Sequence, residues 1–468
     1  MWHPPVASGT RLPSSTLMTQ TAAARFAAHA RNTRFTDLSA HAVARAKIYV
    51  LDSLGVGIAG SSVEGGDALL RVAQTWGPPT TTVWGRSVRL SAPAAAFLNA
   101  WQLHNQEYDC LHEGAVVHAM ATTLPAALAA AEARGGISGR DLITAVALGT
   151  DVAAGLGIAS RSSFRFFRPA TAGGFGAVAA GGRVLGLDQH ELEAAFAWQL
   201  SQTSGTMQAH TEGSPLLPVQ IAFNARAALN ACELAPSGLT PPREVFEGPY
   251  GYLAVFEGES DLPPILDSLG RDWRIGDFSH KPYPAGRATH GGIEGVTALR
   301  ETHGFTAEDV ERVEILAPSL IVRLVGRPAR ADAGASYLRL CMAYAVARVL
   351  LTGRVDLSDF RGDVLTDAAT HALAARVITR ADDNPDPNAL APQTVIVRLR
   401  DGTEHRWTQA TMLANPARPL TREQHLTKFR RCLAFSAEPL PNADRLIAMV
   451  DALEDLPDTT DLIRLLAV

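Results

Sequence analysis

The chain has 468 residues, of which 47% are hydrophobic and 19% charged, with a formal net charge of −5. These values are typical of a globular protein of two or three domains. Without a basic block, nucleic acid is not an expected partner, and no apolar run is long enough to predict a membrane span. Four scattered cysteines and an opening segment without a signal-peptide core predict a cytoplasmic protein with free thiols.

Residues 1–18 are expected to form a disordered leader, with Met18 as an alternative start. From residue 19 to about 275 the pattern is helical and rich in alanine, and we predict a helical domain over 19–275. Ser91 is the expected N-cap of a helix that begins with Ala92 and Pro93. The predicted helices cover 31–60, 92–103, 124–132, 139–158, 173–187, 189–205 and 218–235.

A glycine-rich run, Gly173 to Gly182, resembles a dinucleotide-binding loop. The residues before it make a poor strand and no βαβ unit surrounds it, so this interpretation is rejected. We expect these glycines to lie on a buried helix face, where they permit close packing.

After about residue 275 the pattern changes. The segments 311–318 and 394–402 are rich in β-branched residues, and Asp401-Gly402 is a turn signal. With helices at 333–352 and 365–377 between them, they predict a smaller α/β domain over 276–415. Residues 416–468 are helical again and are expected to pack back on the first domain. The predicted fold class is therefore mainly α.

Two polar segments carry the candidate chemistry. The segment 280–290 places Lys281, Arg287 and two histidines in a proline-stiffened loop before a helix, where they can hold a carboxylate and move protons. Lys281 is one of three lysines among 42 cationic residues, and lysine, unlike arginine, can release its proton when desolvated. The segment 104–118 contributes three acids and three histidines.

Several motifs of the chain, in this order and spacing, resemble the MmgE/PrpD family, which includes 2-methylcitrate dehydratase, cis-aconitate decarboxylase and iminodisuccinate epimerase. The resemblance extends from about Ala22 to Leu465. It is carried by Leu51-Asp52-Ser53-Leu54-Gly55, Ala96-Phe97-Leu98-Asn99, Glu107-Tyr108-Asp109 with His118, Gly176-Ala177, Leu185-Gly186-Leu187-Asp188, Glu247-Gly248, Lys281-Pro282-Tyr283-Pro284 and Leu350 to Val355.

The resemblance implies a large all-α domain built from both chain ends, a smaller α/β lid domain and a homodimer. It also implies an active site between the domains, no cofactor, and small di- or tricarboxylate substrates that lose or gain a proton beside a carboxylate.

Four positions depart from the family pattern. Cys110 replaces the second acid of an Asp-Asp pair, Phe167 a histidine, Leu217 a lysine and Gly286 a Cys or His. These apolar replacements predict a substrate with fewer carboxylates or more apolar bulk, a changed reaction, or lost activity.

Proton removal beside a carboxylate needs a base, a cation for the developing charge and an acid for any leaving hydroxyl. We assign His118, His112 and Lys281 to proton transfer, and Asp109 to orienting a histidine. The predicted substrate-binding residues are Arg287, His290, Thr171, Tyr283 and Arg168. A metal site of Asp109, His112 and His118 is disfavoured, because their spacing matches no strong zinc signature.

The first functional hypothesis is a cofactor-independent lyase, a dehydratase or decarboxylase acting on a small di- or tricarboxylic acid. The second is an isomerase or epimerase that removes and returns one proton, which the missing polar groups favour slightly. The third is a catalytically silent family member that binds a metabolite or a partner chain.

Overall fold

The computed structural model describes residues 20–163, 165–440 and 442–468, so the predicted leader and Met18 lie outside the described residues. The chain is mainly helical, as predicted. Its α-helices are α1 Ala22–Asn32, α2 Ala40–Gly60, α3 Gly66–Ala73, α4 Ala92–His104, α5 Met120–Arg134, α6 Gly139–Ala159, α7 Arg168–Leu185, α8 Gln189–Leu200, α9 Gln208–Glu212, α10 Leu217–Leu234, α11 Pro263–Asp267, α12 His290–His303, α13 Ser319–Val325, α14 Ala335–Leu338, α15 Met342–Thr352, α16 Ala368–Ala374, α17 Arg422–Leu433, α18 Ala443–Asp451 and α19 Thr460–Arg464. The strands are β1 Thr81–Thr82, β2 Arg89–Leu90, β3 Leu111–His112, β4 Phe278–Ser279, β5 Val310–Ala317, β6 Val377–Ala381, β7 Gln393–Leu399 and β8 Glu404–Gln409.

Most predicted helices are present, with shifted ends. The predicted helix 31–60 is wrong over 33–39, where Thr33 ends α1 and a 3-10 turn precedes α2. Ser91 stands at the N-cap of α4, but its side chain makes no capping hydrogen bond and donates to the Trp76 carbonyl at 3.4 Å instead. The predicted helix 333–352 is split into α14 and α15.

The glycine-rich run is helical, as predicted, and lies inside α7. This helix packs against α5, α6 and α10. A Cβ atom at Gly176 would lie 2.4 Å from the Gly149 carbonyl oxygen on α6, so only glycine allows the two helices to come this close. The glycines therefore serve packing and not nucleotide binding.

The first of two large hydrophobic cores combines helices from both ends of the chain. It includes side chains of α1, α2 and α4 to α8 and, from the C-terminal segment, Phe429, Leu446 and Leu462. The ring of Phe429 on α17 packs so closely on α2 that a Cβ at Gly55 would lie 2.7 Å from it. The C-terminal helices thus bury their apolar faces on the first part of the chain.

One helix of the described residues, α6, is apolar and long enough by composition to cross a membrane. Within this helix, 94% of the most apolar 18-residue segment is buried inside the protein. Its Asp151 accepts hydrogen bonds from His29 and from the Arg274 backbone. This burial and polar pairing are typical of a central core helix.

The second core surrounds a four-stranded sheet with the order β6-β5-β7-β8. β5 pairs parallel with β6 and antiparallel with β7, and Asp401-Gly402 turns the chain from β7 into β8 as predicted. Helix α12 packs on this sheet, with Gly295 against Val395. The domain boundaries at 275 and 415 stay a prediction.

The short antiparallel pair β3–β4 determines where the site forms. Leu111 pairs with Ser279 and His112 with Phe278. Because β3 lies within the first polar segment and β4 directly precedes the second, this pairing brings the two segments together.

Candidate active site

Asp109 lies at the centre of a buried polar cluster between α4 and α5. Its carboxylate accepts hydrogen bonds from Nδ1 of His104 at 3.0 Å and from Nδ1 of His118 at 2.9 Å. Nζ of Lys281 lies 3.7 Å from its other oxygen. None of the Asp109 side chain is exposed to solvent, so all of its charge is compensated by these protein groups.

Glu107 is the second carboxylate of the cluster. Its carboxylate accepts a hydrogen bond from Lys281 at 2.9 Å and lies 3.3 Å from Nε2 of His104. Its backbone φ of 52° is in the left-handed region, which a residue other than glycine seldom occupies. Such a conformation persists only where the surrounding contacts hold it, as is common at functional sites.

The cluster is an electrically balanced network. Burial opposes ionisation of both acids, yet Lys281 and the histidines hold the pKa of Glu107 and of Asp109 well below the usual value. Burial likewise lowers the pKa of His104, but Asp109 and Glu107 outweigh it and raise this pKa to about 9. At neutral pH two cations, His104 and Lys281, therefore face two carboxylates.

His118 differs from His104 in its protonation. Burial lowers the pKa of His118, and the nearby Lys281 and His104 charges offset the attraction of Asp109. Since Nδ1 donates to the Asp109 carboxylate, the neutral ring carries its lone pair on Nε2. The His118 side chain is 10% exposed and lines the cavity described next, so Nε2 is the atom placed to exchange a proton there.

A narrow cavity of about 60 Å³ lies where the two hydrophobic cores meet. Fifteen of the described residues line it, eleven of them apolar, including Phe167, Met207, Val325 and Leu340. The four polar lining residues are Glu107, His118, His210 and Arg287. A cavity of this size holds only a few water molecules, so a substrate needs outward movement of its walls.

Arg287 is the cation among the described lining residues, but it is already paired. Its Nη2 lies 2.8 Å from Glu113, and its Nη1 donates to the Leu413 carbonyl at 2.8 Å and contacts His290. Arg287 also begins a 3-10 turn that leads into α12. Backbone amides at the start of such a turn have no partner within it and can receive a carboxylate.

His210 on α9 faces the cavity from a different segment of the chain. Its Nδ1 lies 3.3 Å from Nη2 of Arg327, which also donates to the His210 carbonyl at 2.8 Å. Burial and the Arg327 charge lower the pKa of His210 to about 4, so its ring is neutral at pH 7. Because Nδ1 accepts from Arg327, the ring proton is on Nε2.

The described residues match the MmgE/PrpD N-terminal domain over 24–264 and the MmgE/PrpD C-terminal domain over 283–455. The chain belongs to the MmgE/PrpD family. Its relatives include the cis-aconitate decarboxylase of Mus musculus, which is 28% identical over 96% of this chain and 94% of that protein. The Homo sapiens cis-aconitate decarboxylase is 27% identical over 92% and 91%, and the Aspergillus terreus enzyme 27% identical over 93% and 94%.

Of the predicted catalytic residues, the structure brings Asp109, His118 and Lys281 together. It places His112 apart from them, on β3, where its Nδ1 accepts a hydrogen bond from the Ala115 amide and its ring packs against Phe278. Burial lowers the pKa of His112 to about 4. His112 does not belong to the residues that line the cavity.

Two predicted substrate-binding residues lie beside Arg287. His290 is buried, contacts Arg287 through Nδ1, and lies 3.1 Å through Nε2 from the Ala285 carbonyl, which makes it a support for the loop. Tyr283 packs edge-on against His290 with ring centroids 5.2 Å apart. Neither residue lines the cavity.

The other two predicted binding residues sit on α7 and do not line the cavity, although Phe167 and Pro169 on either side of Arg168 do. The Arg168 guanidinium pairs with Glu257 at 2.8 Å and donates to the Ala115 carbonyl. Thr171 shares a hydrogen bond with the Tyr252 hydroxyl at 3.2 Å. Both side chains are buried, so in this structure they stabilise packing around the site.

The family positions with unusual residues fall into two groups. Phe167 and Gly286 line the cavity, so there the loss of a polar side chain changes the surface that a substrate meets. Cys110 is fully buried, and burial raises the pKa of its thiol well above the usual value. Leu217 begins α10 in the first core and is outside the lining.

Three residues of the site were missed by the assignment from sequence. His104 and Glu107 belong to the polar segment 104–118, but their roles depend on which carboxylate each contacts. His210 stands alone among polar and small residues, and no local signal marked it. A histidine can be assigned to a cavity only when the packing of distant segments is known.

One group of metal-ligand side chains overlaps this site. Ligand atoms of His104, Asp109 and His118 lie within 4.8 Å of one another, so His104 stands where the disfavoured metal hypothesis had His112. The protonated His104 and the nearby Lys281 ammonium already compensate Asp109. A protonated His104 has no lone pair to offer a metal, and the Lys281 ammonium repels a further cation there.

A second group, Asp52, His280 and His425, lies behind the site with the same spacing of ligand atoms. Here too a lysine takes part, since Nζ of Lys428 lies 2.7 Å from the Asp52 carboxylate. The Lys428 ammonium also donates to the Tyr108 carbonyl at 2.8 Å. This group therefore resembles a buried ion pair that joins α2 and α17.

Proposed function

We propose that this protein is a cofactor-independent lyase that decarboxylates a small di- or tricarboxylic acid, with His118 carrying the proton. One observation carries the proposal: Asp109 holds Nδ1 of His118 while the other ring nitrogen is available at a largely apolar cavity. A histidine oriented in this way is a common proton-transfer group in enzymes.

The proposed reaction breaks the bond between a substrate carbon and one carboxylate, which leaves as CO2. The electron pair of that bond passes through a neighbouring carbon–carbon double bond to a second carboxylate, forming a dienolate. His118, protonated on Nε2, then gives its proton to carbon and regains one from solvent. Asp109 stabilises the charged imidazolium, and Glu107 and Lys281 fix the position of Asp109.

The cavity favours decarboxylation over dehydration. A carboxylate beside apolar lining residues such as Leu111 and Val116 is poorly solvated, whereas the CO2 that it forms is uncharged. Elimination of a hydroxyl group would instead need a second acid, and neutral His210 is a weak one. The cis-aconitate decarboxylases among the relatives point to the same reaction class.

An isomerase or epimerase is the second candidate, and the low pKa of His118 favours it. A neutral imidazole at pH 7 is ready to accept a proton, and the same ring could return it. A silent family member that only binds a metabolite is the third.

Incubation of a panel of unsaturated di- and tricarboxylic acids in D2O separates these candidates. A decarboxylase releases CO2 and places one deuteron in the product. An epimerase places deuterium in recovered substrate without CO2 release, and a silent member does neither. Absence of CO2 from every acid in the panel would contradict the proposed lyase.

We further propose that the second core acts as an α/β lid over the helical domain and that the chain forms a homodimer in the cytoplasm. The position of the cavity between the two cores supports the lid. Sedimentation equilibrium of the purified chain tests the dimer, which a mass of one 49.7 kDa chain at micromolar concentration would contradict.

A further inference from the structure

The charges at the cavity are already compensated. Among the described lining residues, Glu107 and Arg287 are the charged ones, and each has a partner of opposite sign within 3 Å. Lys281 has no exposed side-chain surface and is bonded to Glu107. A bound trianion would therefore bring three negative charges towards the Glu107 carboxylate without meeting an uncompensated cation.

The shape of the cavity lining also disfavours a third carboxylate. Phe167, Met207, Leu324, Leu340 and Leu390 approach the cavity from separate segments of the chain. Phe167 also packs near the His104 ring, with centroids 5.9 Å apart, so an apolar wall directly adjoins the polar cluster. A charged substituent pointing at this wall would lose its hydration without gaining a hydrogen bond, which is unfavourable.

We propose that the substrate is an unsaturated dicarboxylic acid with an alkyl substituent where a tricarboxylate has its third carboxylate. This narrows the proposed function and rests on it. One carboxylate is retained, the other is lost as CO2, and the alkyl group packs against Phe167 and Leu340.

Binding of two unreactive acids tests the substrate class without any turnover. 3-Isopropylglutarate and propane-1,2,3-tricarboxylate have the same skeleton and the same number of non-hydrogen atoms, and differ only in an isopropyl group replacing a carboxylate. Calorimetry with the full chain should give at least tenfold tighter binding of 3-isopropylglutarate. Equal or tighter binding of the tricarboxylate, or no binding of the alkyl acid, would overturn the proposal.

A new cation in the wall should reverse the preference. Met207 is half-buried and lines the cavity, so Met207→Lys can place an ammonium group there, whereas Leu216→Lys adds the same charge at an exposed position of the neighbouring segment. We expect Met207→Lys to bind the tricarboxylate at least tenfold tighter than wild type does, and Leu216→Lys to leave both affinities unchanged. The same shift in both variants would show a general charge effect and would contradict the proposal.

Turnover separates this inference from the proposed function. CO2 release is compared between cis-aconitate and 3-isopropylglutaconate, the corresponding unsaturated pair. Preference for the alkyl acid in binding, with no CO2 from either compound or from any acid of the panel above, would reject the lyase and keep the ligand class. Faster CO2 release from cis-aconitate would keep the lyase and reject the ligand class.

Discussion

Asp109 accepts a hydrogen bond from Nδ1 of His118 at 2.9 Å, and this contact fixes which nitrogen of His118 meets the cavity. The same carboxylate binds His104, whose pKa is raised to about 9, while the pKa of His118 is lowered by burial. Two histidines on one carboxylate thus have different states at neutral pH. His104 serves as a fixed cation, and His118 is the ring that can change its charge.

The first prediction concerns the two histidines that the sequence marked as proton carriers. His118→Gln should lower kcat for CO2 release by 10²- to 10⁴-fold, the usual contribution of a proton-transfer group. His112→Gln is the matched control and should stay within about threefold of wild type, because His112 lies outside the cavity lining. Comparable losses in both correctly folded variants, checked by circular dichroism, would contradict the assignment.

The second prediction is the pH dependence of the reaction. If His118 donates a proton from Nε2, the active form is the protonated ring, whose pKa lies below the usual 6.5. The rate of CO2 release should therefore fall as pH rises from 7 to 9, by up to tenfold per pH unit. For an epimerase that uses the neutral ring as base, the rate of proton exchange should instead be constant above pH 7 and fall as the pH is lowered below it.

The third prediction concerns the buried lysine. Lys281→Met removes one of the two cations that face the buried Glu107 and Asp109 carboxylates, and the free energy of unfolding should drop by about 3–5 kcal/mol. Adding Glu107→Gln to Lys281→Met removes the excess negative charge and should recover part of this loss. Urea unfolding measures the free energy of unfolding of the single and the double variant.

Lys47→Met is the control for this pair of variants. Lys47 pairs with Glu454, but both side chains are partly exposed, so its loss should cost at most about 1 kcal/mol. Equal destabilisation by Lys47→Met and Lys281→Met would mean that the buried network contributes no more than a surface pair.

The fourth prediction is a pH-dependent stability from His104. Its pKa is about 9 in the folded protein and about 6.5 when unfolded, so the folded state binds the proton more tightly. This contribution is fully present below pH 6.5 and is lost as pH rises to 9, and it amounts to at most about 3 kcal/mol. The difference in unfolding free energy between wild type and His104→Gln should therefore shrink over this range, and a constant difference would contradict it.

The sequence alone was sufficient for the features that depend on local pattern. Helical spacing placed α5, α6 and α10, the β-branched runs placed β5 and β7, and the glycine-rich run was correctly assigned to a packed helix. The order of the motifs also led to the MmgE/PrpD family and to the segments that carry Asp109, His118 and Lys281. These are properties of short stretches, or of their order along the chain.

Tertiary structure decided which side chains meet. Pairing of β3 with β4 places His112 against Phe278, whereas His118 lines the cavity. The two histidines lie in the same segment of the sequence. His210, more than 90 residues away, reached the cavity only through helix packing. Burial and neighbouring charges then gave His104 and His118 opposite pKa shifts, because the electrostatic energy of a charge depends on distances that chain order does not specify.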